Sequence, residues 1–150
     1  MEINLDNIDL KLLKELKENS RENIASLSKK LGIPRTTVHY RMKKLVEEGI
    51  IEKFTIKLNY KKLNLGTTAF ILATYDPNCG LAQREVAKRV AQIDEVYEVQ
   101  IIAGEWDLLI KVRAHSAEDI GKVVIDKLRE VKGIKHTTTM MSFITVKEEF

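Results

Sequence analysis

The chain has 150 residues, of which 44% are hydrophobic and 31% are charged, a composition that excludes an intrinsically disordered protein. Its formal net charge of +3 is too small to identify a nucleic-acid-binding protein, so the distribution of the charge has to decide. No apolar run approaches the roughly 20 residues that cross a bilayer, no signal peptide is recognisable, and the single cysteine, Cys79, cannot form an internal disulfide. We therefore expect a cytoplasmic protein with no membrane partner.

The first part of the chain is predicted to form three helices with one tight turn. Asp6, followed three positions later by Asp9, is typical of a helix N-cap with acidic support in the first turn. Asn23 can cap a second, shorter helix, which Gly32 is placed to end in a left-handed conformation. Pro34 presets the backbone for the start of a third helix. This order indicates a helix-turn-helix.

The turn and the third helix, residues 31–45, have a local charge that the chain as a whole lacks. Residues 29–44 include six Lys or Arg and no Asp or Glu. With Val38, Met42 and Leu45 facing inward, the outward face of the helix carries hydroxyls, an aromatic ring and bases. Such side chains donate to DNA phosphates and base edges when a recognition helix enters the major groove.

We therefore expect this helix to bind double-stranded DNA. Base contacts are expected from Thr36, Thr37 and Tyr40, phosphate contacts from Arg35, Arg41, Lys43 and Lys44, and either kind from His39. The alternative is a helix in a three-helix bundle that does not bind DNA. That alternative explains the apolar stripe equally well, but it does not explain why residues 29–44 lack a carboxylate.

The pattern changes period after the third helix. Phe54, Ile56 and Leu58 alternate with polar residues, which predicts a linking strand. The following residues, 60–66, have no strong period and contain turn-forming Asn and Gly, so a hinge is expected there. The predicted domains are therefore 1–59 and 67–150, on either side of the 60–66 hinge.

The second part of the chain is predicted to run strand, helix, strand, strand, helix, strand. Strands are expected at 67–75, 96–103, 108–114 and 134–147, and one helix is expected at 81–92. A second helix is expected after Ser116, which with Asp119 three positions later resembles a capping box, and Gly133 is expected to end it. The βαββαβ order predicts a ferredoxin-like domain in which four antiparallel strands have both helices on one face. The fold class is therefore α+β, with a (winged) helix-turn-helix joined by the linking strand to this domain.

The opposite face of such a sheet is left uncovered by its own helices. Because the strands carry apolar residues on both sides, we expect a second subunit to cover that face. A homodimer would also place two recognition helices about 34 Å apart, which matches half-sites one turn apart on the duplex.

Three segments of the sequence resemble the Lrp/AsnC, or feast/famine, transcription regulators. They are residues 6–13, residues 31–38 continuing to 43–51, and residues 104–114. The resemblance covers the whole chain, and one departure is Pro34, where family members commonly have a serine N-cap. The resemblance implies a DNA-binding regulator whose linking strand helps to join two subunits, and whose dimers commonly assemble to octamers.

The resemblance also implies an amino-acid effector bound between subunits. The residues that match the effector site of the family are Gly104, Glu105, Trp106 and Asp107 in a loop, with Thr137, Thr138 and Thr139 on the last strand. Main-chain N–H groups in that loop could hold an α-carboxylate, and Asp107 could accept from an α-ammonium. From the residues alone, a plain hairpin turn and a β-branched strand explain the two segments better.

Two other functions compete with the regulator. Sirohaem decarboxylases resemble the same family, but the three histidines, His39, His115 and His136, form no motif, and we recognise no metal-ligand cluster or catalytic arrangement. We therefore expect no catalytic activity and no resident cofactor. A non-specific architectural DNA-binding protein would share the basic helix but would depend little on Thr36, Thr37 and Tyr40.

Overall fold

A computed structural model describes residues 4–149 of the chain. Residue contacts divide the chain into two compact units, Met1–Lys57 and Leu58–Phe150. By this criterion residues 60–66 belong to the second unit, and their role as a hinge between the domains remains a prediction.

The first unit contains the three predicted helices, α1 (Asn7–Glu18), α2 (Ile24–Leu31) and α3 (Arg35–Glu47). Asp6 caps α1 in a capping box with Asp9, as the sequence indicates. The buried side chains that join the three helices are Leu12, Leu16, Leu27, Val38 and Leu45. The helices therefore form the predicted helix-turn-helix around one small apolar core.

The turn between α2 and α3 is built by local signals that the sequence carries. The Asn23 side chain accepts from the Ser26 N–H and caps α2, and Gly32 ends that helix with a φ of 66°. Such a positive φ costs glycine little, because glycine has no Cβ. Pro34 then occupies the N-cap of α3, where no side-chain cap hydrogen bond is formed.

The predicted linking strand is wrong for the single chain. The structure assigns no strand to residues 53–58, and Phe54, Ile56 and Leu58 are all exposed. The physical reason is that a β-strand needs a hydrogen-bonded neighbour, and the four-stranded sheet of the described chain includes no strand from this segment. The alternating pattern indicates a segment that could form a strand, but it does not show which strand would pair with it.

The second unit has the predicted βαββαβ order and confirms the α+β fold. Its elements are β1 (Thr67–Tyr75), α4 (Gln83–Val90), β2 (Val96–Ile101), β3 (Leu108–Ala114), α5 (Ala117–Lys122, continued by a π-helical turn at Val123–Leu128) and β4 (Ile134–Ser142). The strand order is β2-β3-β1-β4, and every pair is antiparallel. The Ser116 side chain accepts from the Asp119 N–H and caps α5, as predicted.

Three elements are shorter than the sequence predicts, for reasons of pairing and capping. β4 ends at Ser142, not at residue 147, because Ser142 is paired with Thr68 near the start of β1. β2 ends at Ile101, since the chain then turns and the Ile102 N–H donates to the Asp107 carbonyl. Helix α4 covers Gln83–Val90, not 81–92, because the backbone of its N-cap, Ala82, is extended and the helix ends at its C-cap, Ala91.

One face of the sheet packs on the helices and forms the main core of the unit. Its buried residues alternate along the strands, and directly paired residues lie on the same face. They are Ala69, Ile71 and Ala73 on β1 and Leu108, Ile110, Val112 and Ala114 on β3, packed on Val90, Ile120, Val123, Val124 and Leu128.

The opposite face is more polar than the sequence suggested. On β1 and β3 it carries three apolar and three polar side chains, which lie on this face because they alternate with the core residues; they are Phe70, Leu72 and Leu109, and Thr68, Lys111 and Arg113. The expectation of a simple apolar patch is therefore only partly met. A partner on this face would have to accommodate charged groups as well as apolar ones.

Arg113 organises the polar part of that face. Its side chain is 7% exposed, donates to the Thr68 hydroxyl at 3.0 Å and to the Glu148 carboxylate at 2.6 Å, and stacks 4.1 Å from the centre of the Tyr60 ring. Lys111 also donates to Glu148, and this hydrogen bond is the main cause of the lowered pKa of that carboxyl group. The chain therefore covers part of this face itself, from a turn before β1 and from the segment after β4.

Within residues 4–149, no helix is both long enough and apolar enough to cross a membrane.

Gly133 provides a stability test of the second unit. Its φ is +101°, and a Cβ at this position would lie 2.6 Å from Val86 Cγ2 and 3.0 Å from Cys79 Sγ. Gly133→Ala should therefore lower the free energy of unfolding by about 2 to 4 kcal/mol, through strain and overpacking. Gly121→Ala is the matched control, because nothing lies within 4 Å of its added Cβ in a helix, and it should be neutral or slightly stabilising. Urea unfolding followed by fluorescence of the single tryptophan measures both; equal midpoints would contradict the prediction.

Candidate functional site

The outward face of α3 is accessible along its length. Tyr40 is 66% exposed, and Thr36, His39, Lys43 and Lys44 are exposed around it. Arg35, at the start of the helix, is also exposed, while Thr37 is partly buried. Val38 and Leu45 are buried on the other side of the helix, as the wheel predicted. Six of the eight predicted DNA-binding residues are therefore exposed on one helix, and Thr37 and Arg41 are partly buried.

The two lysines at the C-terminal half of α3 have only weak partners within the helix. Lys43 Nζ lies 3.6 Å from a Glu47 carboxylate oxygen, and Lys44 Nζ lies 3.7 Å from one of Glu48. Exposed ion pairs of this i,i+4 type contribute about 0.3 to 0.5 kcal/mol. A DNA phosphate can therefore compete with both glutamates for the lysine ammonium groups.

Arg41, the eighth predicted residue, is engaged inside the first unit. Its Nη1 donates to Asp6 Oδ2 and to Asp9 Oδ1, at 2.7 Å each, and its side chain is only 21% exposed. The hydrogen bond to Asp9, followed by the one to Asp6, is the main cause of the raised pKa of Arg41. The pKa of Asp6 is lowered, mainly by the hydrogen bond from the Asp9 backbone N–H and next by the one from Arg41. Arg41 therefore lies at the edge of the buried side of α3, apart from the exposed DNA-facing residues.

The loop between β2 and β3 contains the four predicted effector residues. Gly104 and Glu105 are exposed, and Trp106 and Asp107 are partly buried. Gly104 has a φ of 129°, a conformation that favours glycine, although a Cβ there would meet no atom within 4 Å. The glycine is therefore required by the backbone of the turn and not by close packing.

Asp107 has a structural task that the sequence did not reveal. Its Oδ2 accepts from the Tyr75 N–H at 2.8 Å, and its own N–H donates to the Ala73 carbonyl at 3.0 Å. The carboxylate thus satisfies the backbone at the end of β1. Only the remaining acceptor sites of this carboxylate are available to an α-ammonium group.

The three consecutive threonines of β4 do not share one surface. Thr137 and Thr139 pair with Ala73 and Ile71 and lie on the helix-covered side, whereas Thr138 pairs with Leu72 and lies on the other side. The Thr137 hydroxyl also accepts from Arg129 Nε at 3.3 Å. Successive strand residues point to opposite faces, so a single ligand on one face cannot contact all three in one chain.

The loop and the start of β4 nevertheless lie at the same end of the sheet. Asp107 is bonded to Ala73 on one side of β1, and Thr137 pairs with Ala73 on its other side. Two inter-strand spacings separate them, about 10 Å. A ligand of amino-acid size at this end of the sheet could span that distance.

Two buried charged residues were missed as interaction partners by sequence reasoning. Asp9 was interpreted only as support for the α1 cap, and Arg113 only as one residue of a strand. Each makes contacts with residues 32 to 45 positions away in the sequence, such as Arg41 with Asp9 and Thr68 with Arg113. Charge complementarity was a visible signal, but the fold is needed to show which charges meet. Among residues 4–149 no group of three or more His, Cys, Asp or Glu could hold a metal ion.

Two family models match the chain. A winged helix-turn-helix DNA-binding model matches residues 5–52, and a model of the Lrp/AsnC ligand binding domain matches residues 68–150. The two matches correspond to the three-helix unit and to the four-stranded sheet with its helices.

Similar proteins include regulators from archaea and bacteria. An HTH-type transcriptional regulator of Pyrococcus horikoshii is 73% identical over 145 residues, which are 97% of this chain and 97% of the relative. The proline dehydrogenase transcriptional activator of Rhizobium radiobacter is 35% identical over 144 residues, which are 96% of this chain and 92% of the relative. The similarity therefore extends over both units.

Solved structures of similar proteins have the same fold. A transcriptional regulator of Neisseria meningitidis in complex with L-Met aligns with a TM-score of 0.90 at 26% identity, covering 97% of this chain and 94% of that one. Escherichia coli AsnC aligns with a TM-score of 0.88 at 26% identity, covering 99% and 98%.

The bond from Tyr75 to Asp107 predicts how substitutions of this loop residue behave. Asp107→Ala should lower the free energy of unfolding by about 1 to 3 kcal/mol, because the Tyr75 N–H loses its acceptor. Asp107→Asn keeps a carbonyl acceptor and should lose less than about 1 kcal/mol. Urea unfolding followed by Trp106 fluorescence separates the two variants. Equal losses would show that the acceptor is not the cause.

Proposed function

This chain belongs to the Lrp/AsnC family of DNA-binding transcriptional regulators, and we propose that it binds specific DNA sequences under the control of an amino-acid effector. The observation that carries the proposal is the exposed face of α3, which presents hydroxyls, Tyr40 and bases from a helix whose other side is buried in a helix-turn-helix core. A recognition helix needs this combination of a fixed inner side and a donor-rich outer side.

Within α3 we assign two kinds of contact to DNA. Thr36, Thr37 and Tyr40, in the first half of the helix, are proposed to reach base edges in the major groove. The residues proposed to contact phosphates, or in the case of His39 either group, are Arg35, His39, Lys43 and Lys44. Arg41 is no longer included, because its guanidinium is bonded to Asp6 and Asp9.

We propose that two chains act together as a homodimer that can assemble further to an octamer. Two exposed apolar segments support an interface between copies: Phe54, Ile56 and Leu58 in the linking segment, and Met140 and Met141 on the edge strand β4. Unpaired edge strands and exposed apolar side chains are stabilised when a second chain covers them. The proposed organisation is a DNA-binding domain at 1–59, a hinge at 60–66, and an oligomerisation and effector domain at 67–150.

The proposed effector site is the end of the sheet that contains Gly104–Asp107 and the start of β4. The matching ligand-binding-domain model supports a small-molecule site in the second unit, and the similar regulator solved with L-Met supports an amino acid as its class. Main-chain N–H groups around Gly104 and Glu105 are proposed to hold the α-carboxylate. Thr138 lies on the sheet face away from the helices and is proposed to contact an effector bound there. Thr137 and Thr139 lie on the helix-covered face, so we propose that they contact an effector only at a site that a second subunit completes on that face.

A selection of bound fragments from random DNA tests the regulator as a whole. The full chain should enrich one sequence motif with two-fold symmetry, and one or a few of the twenty amino acids should change the affinity for that motif by about 5- to 150-fold. Enrichment without an amino-acid effect would remove the effector from the proposal. Tight binding without any enriched motif would instead indicate an architectural DNA-binding protein.

Single substitutions on α3 should separate base contacts from phosphate contacts. Tyr40→Ala should reduce the preference for the selected motif over random DNA by about 5- to 150-fold for each bound subunit, the range for loss of a good base contact. Lys43→Ala should weaken binding to both DNAs alike and lower the salt slope by about one for each bound subunit. Binding titrations at several salt concentrations measure both effects. If Tyr40→Ala weakens both DNAs equally, Tyr40 does not read bases.

A further inference from the structure

Arg41 connects the middle of the recognition helix to the beginning of the first helix. Its Nη1 donates to one carboxylate oxygen of Asp6 and one of Asp9, both at 2.7 Å. Arg41 follows Tyr40 directly, and it lies three residues after Val38 and four before Leu45, both buried. The contact is therefore made along the inner edge of α3, next to the proposed base-reading residue.

The two carboxylates that hold Arg41 are themselves fixed by the capping box of α1. Asp6 Oδ1 accepts from the Ile8 and Asp9 N–H groups at 2.8 Å each, and Asp9 Oδ2 accepts from the Asp6 N–H at 3.1 Å. Each aspartate thus uses one oxygen for its own helix and the other for Arg41. Because the capping bonds fix both side chains, Arg41 meets a rigid acceptor pair with one defined geometry.

The Asp9 side of this cluster is buried, although the Asp6 side chain is 52% exposed, and this partial burial argues against stability as its main task. The Asp9 side chain is only 9% exposed, and Arg41 Nε is buried without a hydrogen-bond partner. Removing such charges from water costs free energy that their attraction offsets only in part, so a buried ion pair is weak evidence for stabilisation. What the cluster adds is direction, since a hydrogen bond depends on angle whereas an apolar contact does not.

The N-terminus of α3 lacks the polar anchor that α1 and α2 have. Asp6 and Asn23 cap those helices through their side chains, but Pro34 makes no side-chain cap bond to α3. The contacts of Val38 and Leu45 with the core are non-directional, so they define the rotation of α3 less sharply than a hydrogen bond does. Arg41 is therefore the side chain that can fix the rotation of this helix.

We infer that the Asp6–Asp9–Arg41 cluster sets the rotation of α3, so that Arg41 is a positioning residue for base reading by Tyr40 and not a phosphate contact. The inference rests on the proposed DNA-binding function. A rotation of about 15° moves a side chain at the helix surface, about 5 to 6 Å from the axis, by about 1.5 Å. This is enough to break a hydrogen bond to a base edge. The long, flexible lysines can follow a phosphate over such a distance.

The test compares Asp9→Asn and Arg41→Met in the full chain, at a temperature where circular dichroism shows both variants to be folded. Methionine keeps an unbranched, apolar side chain in place of the arginine stem, and asparagine keeps an acceptor for the Asp6 N–H. Each variant should reduce the preference for the selected motif over random DNA by about tenfold per bound subunit, and therefore by about a hundredfold for a homodimer on the two-fold motif. The salt slope with random DNA should stay unchanged in Arg41→Met.

Asp9→Asn distinguishes positioning from simple electrostatics. Removal of a negative charge by itself should strengthen binding to all DNA, so a loss of preference for the motif has the opposite sign to the charge effect. The double variant Asp9→Asn/Arg41→Met should lose no more preference than either single variant, because both interrupt the same contact. Glu15→Gln is the matched control: it removes an α1 carboxylate whose partner, Lys30 at 2.8 Å, lies on α2, and it should leave the preference unchanged.

Several outcomes overturn the inference. A salt slope that falls by about one per subunit in Arg41→Met would assign Arg41 to a phosphate. A preference that is retained in folded Asp9→Asn and Arg41→Met would leave the cluster with a structural role only. If either variant unfolds, Asp6→Asn replaces it. Asparagine caps a helix as well as aspartate does, but it removes one charged partner of Arg41. A retained preference for the motif in Asp6→Asn would also overturn the inference. A wild-type chain without any preferred motif would instead overturn the proposed function, and this inference with it.

Discussion

The inferred orientation of α3 in the first unit depends on an ion cluster set into the edge of an apolar core. Leu12, Leu27 and Val38 bury the three helices against one another, but such contacts are non-directional and leave rotation of a short helix weakly determined. The directional bonds in this core come from Arg41 to the carboxylates that cap α1. A single residue type, aspartate, therefore serves both to begin one helix and to orient another, which makes the start of α1 part of the proposed DNA-reading apparatus.

The second unit uses a comparable arrangement on a sheet. The face covered by helices is apolar, whereas the opposite face is organised around Arg113, which bonds to Thr68 and Glu148 and stacks on Tyr60. Its charge is compensated within the chain, so this face can be buried further by a partner at a lower desolvation cost than an unpaired arginine would impose. The proposed homodimer is thus compatible with a face that is more polar than strand periodicity alone suggests.

Local signals in the sequence predicted the helices, their caps and the four strands of the sheet, but not their long-range side-chain partners. The caps at Asp6, Asn23 and Ser116 were predicted because each acts on an N–H two or three residues away. Residues 53–58 form no strand in the single chain, because periodicity reports a potential pairing face, and the sheet within residues 4–149 includes no strand from this segment. Arg41 was assigned to phosphates for the same reason: its partners lie 32 and 35 residues earlier, and a helical wheel ranks exposure without showing what approaches each side.

The proposed two-fold reading of DNA makes the geometry of each recognition helix more consequential. In a homodimer the same displacement of the recognition helix occurs in both subunits, so the free-energy costs at the two half-sites add. A tenfold loss of affinity per helix then becomes about a hundredfold loss for the operator. An effector that changes operator affinity needs only about 1 to 3 kcal/mol of coupling, which is no larger than the value of one good base contact. Control of such a regulator therefore does not require dismantling a domain, because a small change in how two rigid helices meet the groove is sufficient.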